Sequence, residues 1–154
     1  MENFKTYISE AKNKGLTIFD IDDTMFKTKA RVKVMPSGKI LTPQQFNTYK
    51  LGRGEEFDFG EFKSAKIFQQ TAVPIGRMIA KFKAILKNAV KSGSKVIIVT
   101  ARADMDDKKL FIKTFESHGI PMKNVYVERA GNMSGSSAEN KQIIFRKYLK
   151  TGEY

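Results

Sequence analysis

Leu16-Thr17-Ile18-Phe19-Asp20-Ile21-Asp22-Asp23-Thr24 is the stretch on which the reading of this chain turns. Four apolar, β-leaning residues give way abruptly to acids, the pattern of a buried parallel strand with polar groups at its carboxyl end. Lys95-Val96-Ile97-Ile98-Val99-Thr100 repeats that design, and Val125-Tyr126-Val127 is a shorter third case. Helical stripes separate the three. Ile75, Met78, Ile79, Phe82, Ile85, Leu86 and Val90 share one face of a helix stopped at Gly93. A second helix is predicted from about Asp106 to His118, with Leu110, Phe111 and Phe115 inward and Gly119 as its stop. A third begins at Ser136, whose spacing to Glu139 makes a capping box, and carries Ile144, Phe145, Tyr148 and Leu149. Alternating strands and helices predict an α/β domain with a doubly wound, Rossmann-like parallel sheet. Upstream, Phe4, Tyr7, Ile8 and Ala11 fall at helical spacing and predict a short amphipathic helix that ends near Gly15.

The stretch from Lys27 to Thr71 breaks that alternation and is long enough for a small subdomain, so it reads as an insertion after the first strand. Within it, Val32 to Met35 and Ile40-Leu41, split by Pro36-Ser37-Gly38-Lys39, predict a β-hairpin. Phe57, Phe59 and Phe62, interleaved with Gly52, Gly54 and Gly60, follow as an aromatic loop. Gly131 to Ser137 reads as the one flexible segment.

With 154 residues the chain suits a single domain. It has no cysteine, which excludes disulfides and thiolate metal sites and makes a cytoplasmic setting the default. No apolar run approaches the length needed to span a bilayer, so no membrane partner is expected. Lys and Arg number 28 against 16 Asp and Glu, a formal charge of +12. Such a field favours polyanions, nucleic acid first among them, although an ordinary solvated lysine surface has the same composition.

Open α/β sheets bind ligands beyond the carboxyl ends of their strands. That edge collects Asp20, Asp22, Asp23, Thr24, Thr100 and Arg102. Two carboxylates one residue apart can divide labour: one attacks phosphorus, and the other protonates the leaving oxygen and later activates water. A hard cation would offset the charge gathered between them and a phosphate, and Mg²⁺ prefers such all-oxygen sites. The plain alternative is a strand end with solvated acids. Arg102, two residues beyond Thr100, could grip a phosphate with two parallel bonds, or pair with Asp104 or Asp106 as a helix-entry arginine. His118, at a helix end, suits a favourable interaction with the helix dipole better than a catalytic role.

Phe19-Asp20-Ile21-Asp22-Asp23-Thr24 resembles the first motif of phosphatases of the haloacid dehalogenase (HAD) superfamily, an apolar strand followed by DxDx(T/V). Thr100 at the end of the next strand resembles their second motif, and Lys141 in the first turn of the last helix resembles their third. The resemblance spans nearly the whole chain and implies a HAD-like fold with a cap or flap at 27–71. It implies Asp20 as nucleophile, Asp22 as general acid/base, and Thr100 and Lys141 as holders of the phosphoryl oxygens. It further implies Mg²⁺ on the Asp20 carboxylate and the Asp22 backbone carbonyl, and a phosphomonoesterase activity. Thr24 and Arg102 are the expected substrate contacts. Thr100-Ala101-Arg102 is also similar to the Ser/Thr-x-Arg of phage end-healing polynucleotide kinase-phosphatases, and the chain looks like small phage-encoded HAD proteins. Nucleotide or nucleic-acid phosphate ends are therefore the expected substrates.

One family feature has no counterpart: the fourth motif, acids at the end of a further strand that complete the Mg²⁺ site. Asp104, Asp106 and Asp107 stand near the pocket but are expected to cap the helix that follows them. The expectation is accordingly a chain that stops before that strand, binds Mg²⁺ weakly, and leaves Leu16 to Phe19 as a sheet edge open to an oligomer or a strand-covering partner. The competing expectation is a HAD-like module that has lost turnover and only binds nucleic acid or protein.

Overall fold

A computed structural model describes residues 14–154; the helix expected over Phe4 to Ala11 lies outside them. The chain is mixed α/β. Strand β1 (Leu16–Phe19) leads through a tight turn to β2 (Phe26–Lys27), then to β3 (Val32–Met35) and β4 (Lys39–Leu41). Helix α1 (Pro43–Thr48), β5 (Glu56–Asp58), α2 (Gly60–Lys63), α3 (Ala65–Thr71) and β6 (Val73–Pro74) come next. The remainder alternates: α4 (Gly76–Ser92), β7 (Lys95–Thr100), α5 (Lys108–Ser117), β8 (Tyr126–Arg129) and α6 (Ser137–Leu149).

The main sheet is parallel with strand order β1-β7-β8. β7 is central and almost wholly buried, which is why its sequence is a continuous apolar run rather than an alternation. Side chains leave it on both faces. Val96 and Ile98 join Phe19 and the buried stripe Ile79, Phe82, Leu86 of α4, together with Phe111 and Phe115 of α5. Ile97 and Val99 pack on the opposite face against Ile144 and Tyr148 of α6. Phe82 meets Phe19 edge-on at 4.8 Å and is completely buried, a contact class that contributes on the order of 2–3 kcal/mol per ring. Helix α4 ends at Gly93, whose φ of 75° is the left-handed geometry glycine adopts without penalty.

The stretch expected as one insertion divides in two. Its outer part is an antiparallel sheet in the order β4-β3-β5, with Val32 opposite Leu41 and Val34 opposite Phe57. The expected hairpin is there; β5, within the aromatic loop, adds a third strand. Helix α1 is fixed by a complete capping box between Thr42 and Gln45, and Phe46 packs on Phe57 at 5.0 Å. Helix α3 instead belongs to the main core: Ala65 and Phe68 are buried, and Phe68 lies 5.8 Å from Phe115. β2 and β6 pair antiparallel where the excursion leaves and rejoins the main layer.

Among the described residues β1 pairs with β7 alone, so it is an edge strand. The C-terminal tail comes to its start: the Lys14 amide donates to the Glu153 carbonyl at 2.6 Å, and Tyr154 packs on the α6 side of the sheet. No helix among the described residues is long and apolar enough to cross a membrane.

Candidate active site

The parallel register places Phe19 beside Ile98, so the chain leaves β1 at Asp20 one level before β7 ends at Thr100. The turn that follows is tight. The Ile21 carbonyl accepts from the amides of Met25 and Phe26, and the Asp23 amide donates to the Phe26 carbonyl at 2.7 Å. Asp23 takes φ 61°, a left-handed conformation that costs a non-glycine residue about 1 kcal/mol and that Asp tolerates better than most. Ile21, Met25 and Phe26 are completely buried beneath the turn, and this packing offsets the strain.

Asp20 and Lys141, 121 residues apart, meet here: Nζ of Lys141 donates to Oδ2 of Asp20 at 3.0 Å, while Oδ1 accepts from the Ile21 amide at 2.7 Å. Both side chains are partly exposed, so the pair is reachable from solvent. Thr100 is buried at the end of β7, and its hydroxyl oxygen accepts from the Arg102 amide at 3.1 Å, shaping the loop beyond the strand. Thr24 sits half-buried in the turn, its amide on the Ile21 carbonyl at 3.3 Å, and does not line the neighbouring cavity.

Arg102 pairs with neither Asp104 nor Asp106, and its charged end is turned on Asp22 rather than left open to a phosphate. Nε bonds Oδ2 of Asp22 at 3.0 Å, and Nη2 bonds Oδ1 at 2.7 Å, a two-pronged grip. Nη1 donates to the Phe62 carbonyl at 3.0 Å. The guanidinium lies over the rings of Phe62 and Phe68, at 5.0 and 5.2 Å from their centroids, and the whole residue is 5 % exposed. Thr28 supplies a further hydroxyl to Oδ1 of Asp22.

The acids after β7 also differ from expectation. Only Asp107 caps α5, accepting from the Leu110 amide at 3.0 Å. Asp106 reaches away to the Ala65 amide at 3.0 Å, tying the loop to the start of α3. Asp104 pairs with Lys108 and with Arg129 at 3.2 Å, and its amide donates to Asn132. The contacts with Asn132, Lys108 and Arg129, the first of these strongest, hold its carboxyl below the usual range. His118 is the residue that closes α5, its ring edge-on to Phe26 at 5.4 Å.

The segment 131–137, expected to be flexible, is tied down by a residue the sequence reading passed over. Asn140 is buried next to Lys141, and its Nδ2 donates to the carbonyls of Ala130, Met133 and Gly135 while Oδ1 accepts from the Gly135 amide. Ser136 caps α6 by accepting from the Glu139 amide at 3.3 Å, so the hydroxyl arm of the expected box forms. Asn140, Ile144 and Tyr148 share one helical face, and a polar residue on that stripe was the available signal. Thr28 had none: its role depends on how the chain doubles back after Asp23.

A cavity of about 550 Å³ opens between the outer antiparallel sheet and the ends of the main strands. Asp22, Ala101 and Arg102 line it together with Phe46, Phe59 and Phe62, the last of these in contact with Arg102, whereas Asp20, Thr100 and Lys141 lie outside its lining.

Among the described residues no cluster of three acidic or histidine side chains gathers for a metal ion. The Asp22 carboxylate is already engaged by Arg102 and Thr28. Asp20 has lone pairs to spare, since a carboxylate offers about four acceptor positions and only two are used. A carboxylate oxygen is a ligand type that Mg²⁺ takes, and with a single one most of the coordination would fall to water. Comparison with protein-family models, with curated proteins and with solved structures gives no match to this chain.

Proposed function

We propose that this chain is a HAD-type phosphomonoesterase acting through a phospho-aspartate on Asp20, with phosphate ends of nucleotides or nucleic acids as its substrates. The observation that carries the reading is the ammonium of Lys141 on the carboxylate of Asp20, at the strand end that also bears Asp22 and lies beside Thr100. Chain topology, not sequence proximity, assembles that group.

In this reading an Asp20 oxygen attacks phosphorus while the bond to the alcohol oxygen breaks, and Asp22 gives that oxygen a proton. Water then attacks the aspartyl-phosphate and Asp22 takes a proton back, releasing inorganic phosphate. Lys141 offsets negative charge on the nucleophile and the phosphoryl group, and Thr100, buried at the end of β7, is the residue this reading assigns to a phosphoryl oxygen. Mg²⁺, held by the Asp20 carboxylate and the Asp22 carbonyl, would supply further charge compensation. With no third acidic ligand among the described residues, its affinity is expected to be weak.

The test is phosphate release from an aryl phosphate with and without Mg²⁺. Asp20→Asn should remove essentially all activity and bind substrate better than it turns it over. Turnover close to wild type in that variant overturns the assignment. One observation favours a second reading, a module that binds phosphorylated ligands without turnover: both oxygens of Asp22 are held by Arg102. Salt-sensitive binding of a phosphorylated oligonucleotide with no phosphate release would select it.

A further inference from the structure

The cavity above Asp22 holds more information about the substrate than the strand-end residues do. Its wall on the side of the outer sheet is built from Phe46 of α1, Phe59 before α2, and Phe62 within α2, backed by Leu41 and Pro43. These rings are not sealed in a core. Phe59 is 42 % exposed, and Phe46 and Phe62 are half-buried; Phe46 and Phe59 brace one another at 5.9 Å and Phe62 rests against the Arg102 guanidinium, so the rings are held in place while each still lines the concave space. Exposed aromatic faces grouped in a cavity carry a cost in water that a ligand removes.

In the same cavity the Asp22 carboxylate is matched by Arg102, and Arg31 and Lys63 remain as the charge that complements an anion. At about 550 Å³ it lies within the range of small-ligand sites and accommodates a phosphate, a pentose and one ring system. A polyhydroxylated sugar phosphate is a poor match, because its hydroxyls would face phenyl rings and lose hydrogen bonds to water without replacement. A flat aromatic group matches, since it stacks on phenyl faces whatever its edge carries, and Thr42 and Asn47 stand in the same wall to meet polar edge atoms.

We infer that Phe46, Phe59 and Phe62 form a base-stacking subsite, and that the preferred ligand is a phosphomonoester whose alcohol carries one nucleobase, a nucleoside monophosphate or the terminal nucleotide of a strand. The inference rests on the proposed reaction for its phosphoryl half. Its aromatic half stands on the cavity wall alone.

The two halves separate in one experiment. Adenosine 3′-monophosphate, adenosine 5′-monophosphate and ribose 5-phosphate are compared by kcat/KM for phosphate release and by titration calorimetry of the full chain. At least one adenosine monophosphate is expected to exceed ribose 5-phosphate by about tenfold or more in both measurements, the advantage expected of a stacked base. Phe59→Ala should bring that ratio towards one, chiefly through KM, and Phe59→Leu, which keeps apolar volume while removing the ring, should lower it as well. Equal handling of the base-bearing and base-free phosphates overturns the subsite and leaves the phosphatase reading standing. Base-dependent binding with no turnover of any substrate keeps the subsite and removes the phosphatase reading. A Phe59→Ala protein that folds, by circular dichroism and melting, yet retains the full preference also overturns the subsite.

Discussion

Arg102 is the residue whose placement most changes the reading of the site. A guanidinium with a side chain only 3 % exposed must be paired, because an uncompensated buried charge costs several kcal/mol. Asp22 provides that pairing, with the Phe62 carbonyl as a third acceptor, so the acid assigned to proton transfer is also part of the architecture. Arg102 touches both the outer layer and the strand end, and acts on any chemistry through the orientation it gives Asp22. Replacing either partner alone should therefore destabilise the fold by about 2–4 kcal/mol, discounted from a fully buried pair because the Asp22 side chain is 27 % exposed. The double variant Asp22→Asn/Arg102→Met should lose less than the sum of the single variants, with a coupling of about 1–3 kcal/mol in urea denaturation. Strict additivity would mean the pair contributes nothing specific. It follows that activity lost in Asp22→Asn is to be compared at equal folded fraction before it is assigned to proton transfer.

At the scale of elements, the site is a junction of loops that follow parallel strands, and two contacts keep those loops in register. Gly131 passes so close to the loop after β7 that a Cβ there would lie 2.4 Å from the Ala103 amide nitrogen and 2.5 Å from the Ala101 carbonyl oxygen. Only glycine fits such an approach without moving backbone. The other contact joins β8 to α6: Glu128 accepts from Lys147 and from the Tyr148 hydroxyl, both at 2.7 Å. Partial burial raises the Glu128 carboxyl, but the two donors outweigh it and hold the group below its usual 4.5. A depressed carboxyl contributes stability that is present above its unfolded value and lost as pH falls through the folded one. Glu128→Gln should therefore lower Tm at pH 7, by an amount corresponding to about 1 kcal/mol, and the difference from wild type should shrink as pH drops below about 4. A difference that holds constant or grows on acidification would contradict this account. These elements were legible to different degrees. The strands β1 and β7 and the stripe of α4 were readable because period and burial agree along a single segment. Helix α3 was not, since Ala65 and Phe68 show their attachment to the main core only once α5 is in place beside them. The Asp20–Lys141 meeting was an expectation carried by the resemblance of Lys141 to the third HAD motif, whereas Arg102 on Asp22 depends on side-chain direction across 80 residues, which no local pattern encodes.

Over the whole molecule, charge and shape point the same way. The formal charge of +12 means that a long polyanion gains from release of its counterions in a manner that a single small phosphate cannot. The cavity, by contrast, has room for about one nucleotide, so any further nucleotides of a strand must run over the outer surface. These two scales make separable demands on a substrate. In the proposed reading the cavity would set which terminal residue is accepted, and the surface charge would set how affinity grows with strand length and how it responds to salt. If the proposed reaction holds, kcat/KM for a 3′-phosphorylated oligonucleotide should exceed that for a hexose phosphate. It should also fall steeply between about 50 and 200 mM salt, with a logarithmic slope of about −0.7 per phosphate contacted by the basic surface. The hexose phosphate, bearing one phosphate, should respond weakly over the same range. A mononucleotide should share the preference over the sugar but show the weak salt response, because it fills the cavity and touches little else. A flat salt profile for the oligonucleotide would show that the excess of lysines is ordinary solvated surface, and a preference for the hexose phosphate would remove nucleic-acid ends from consideration.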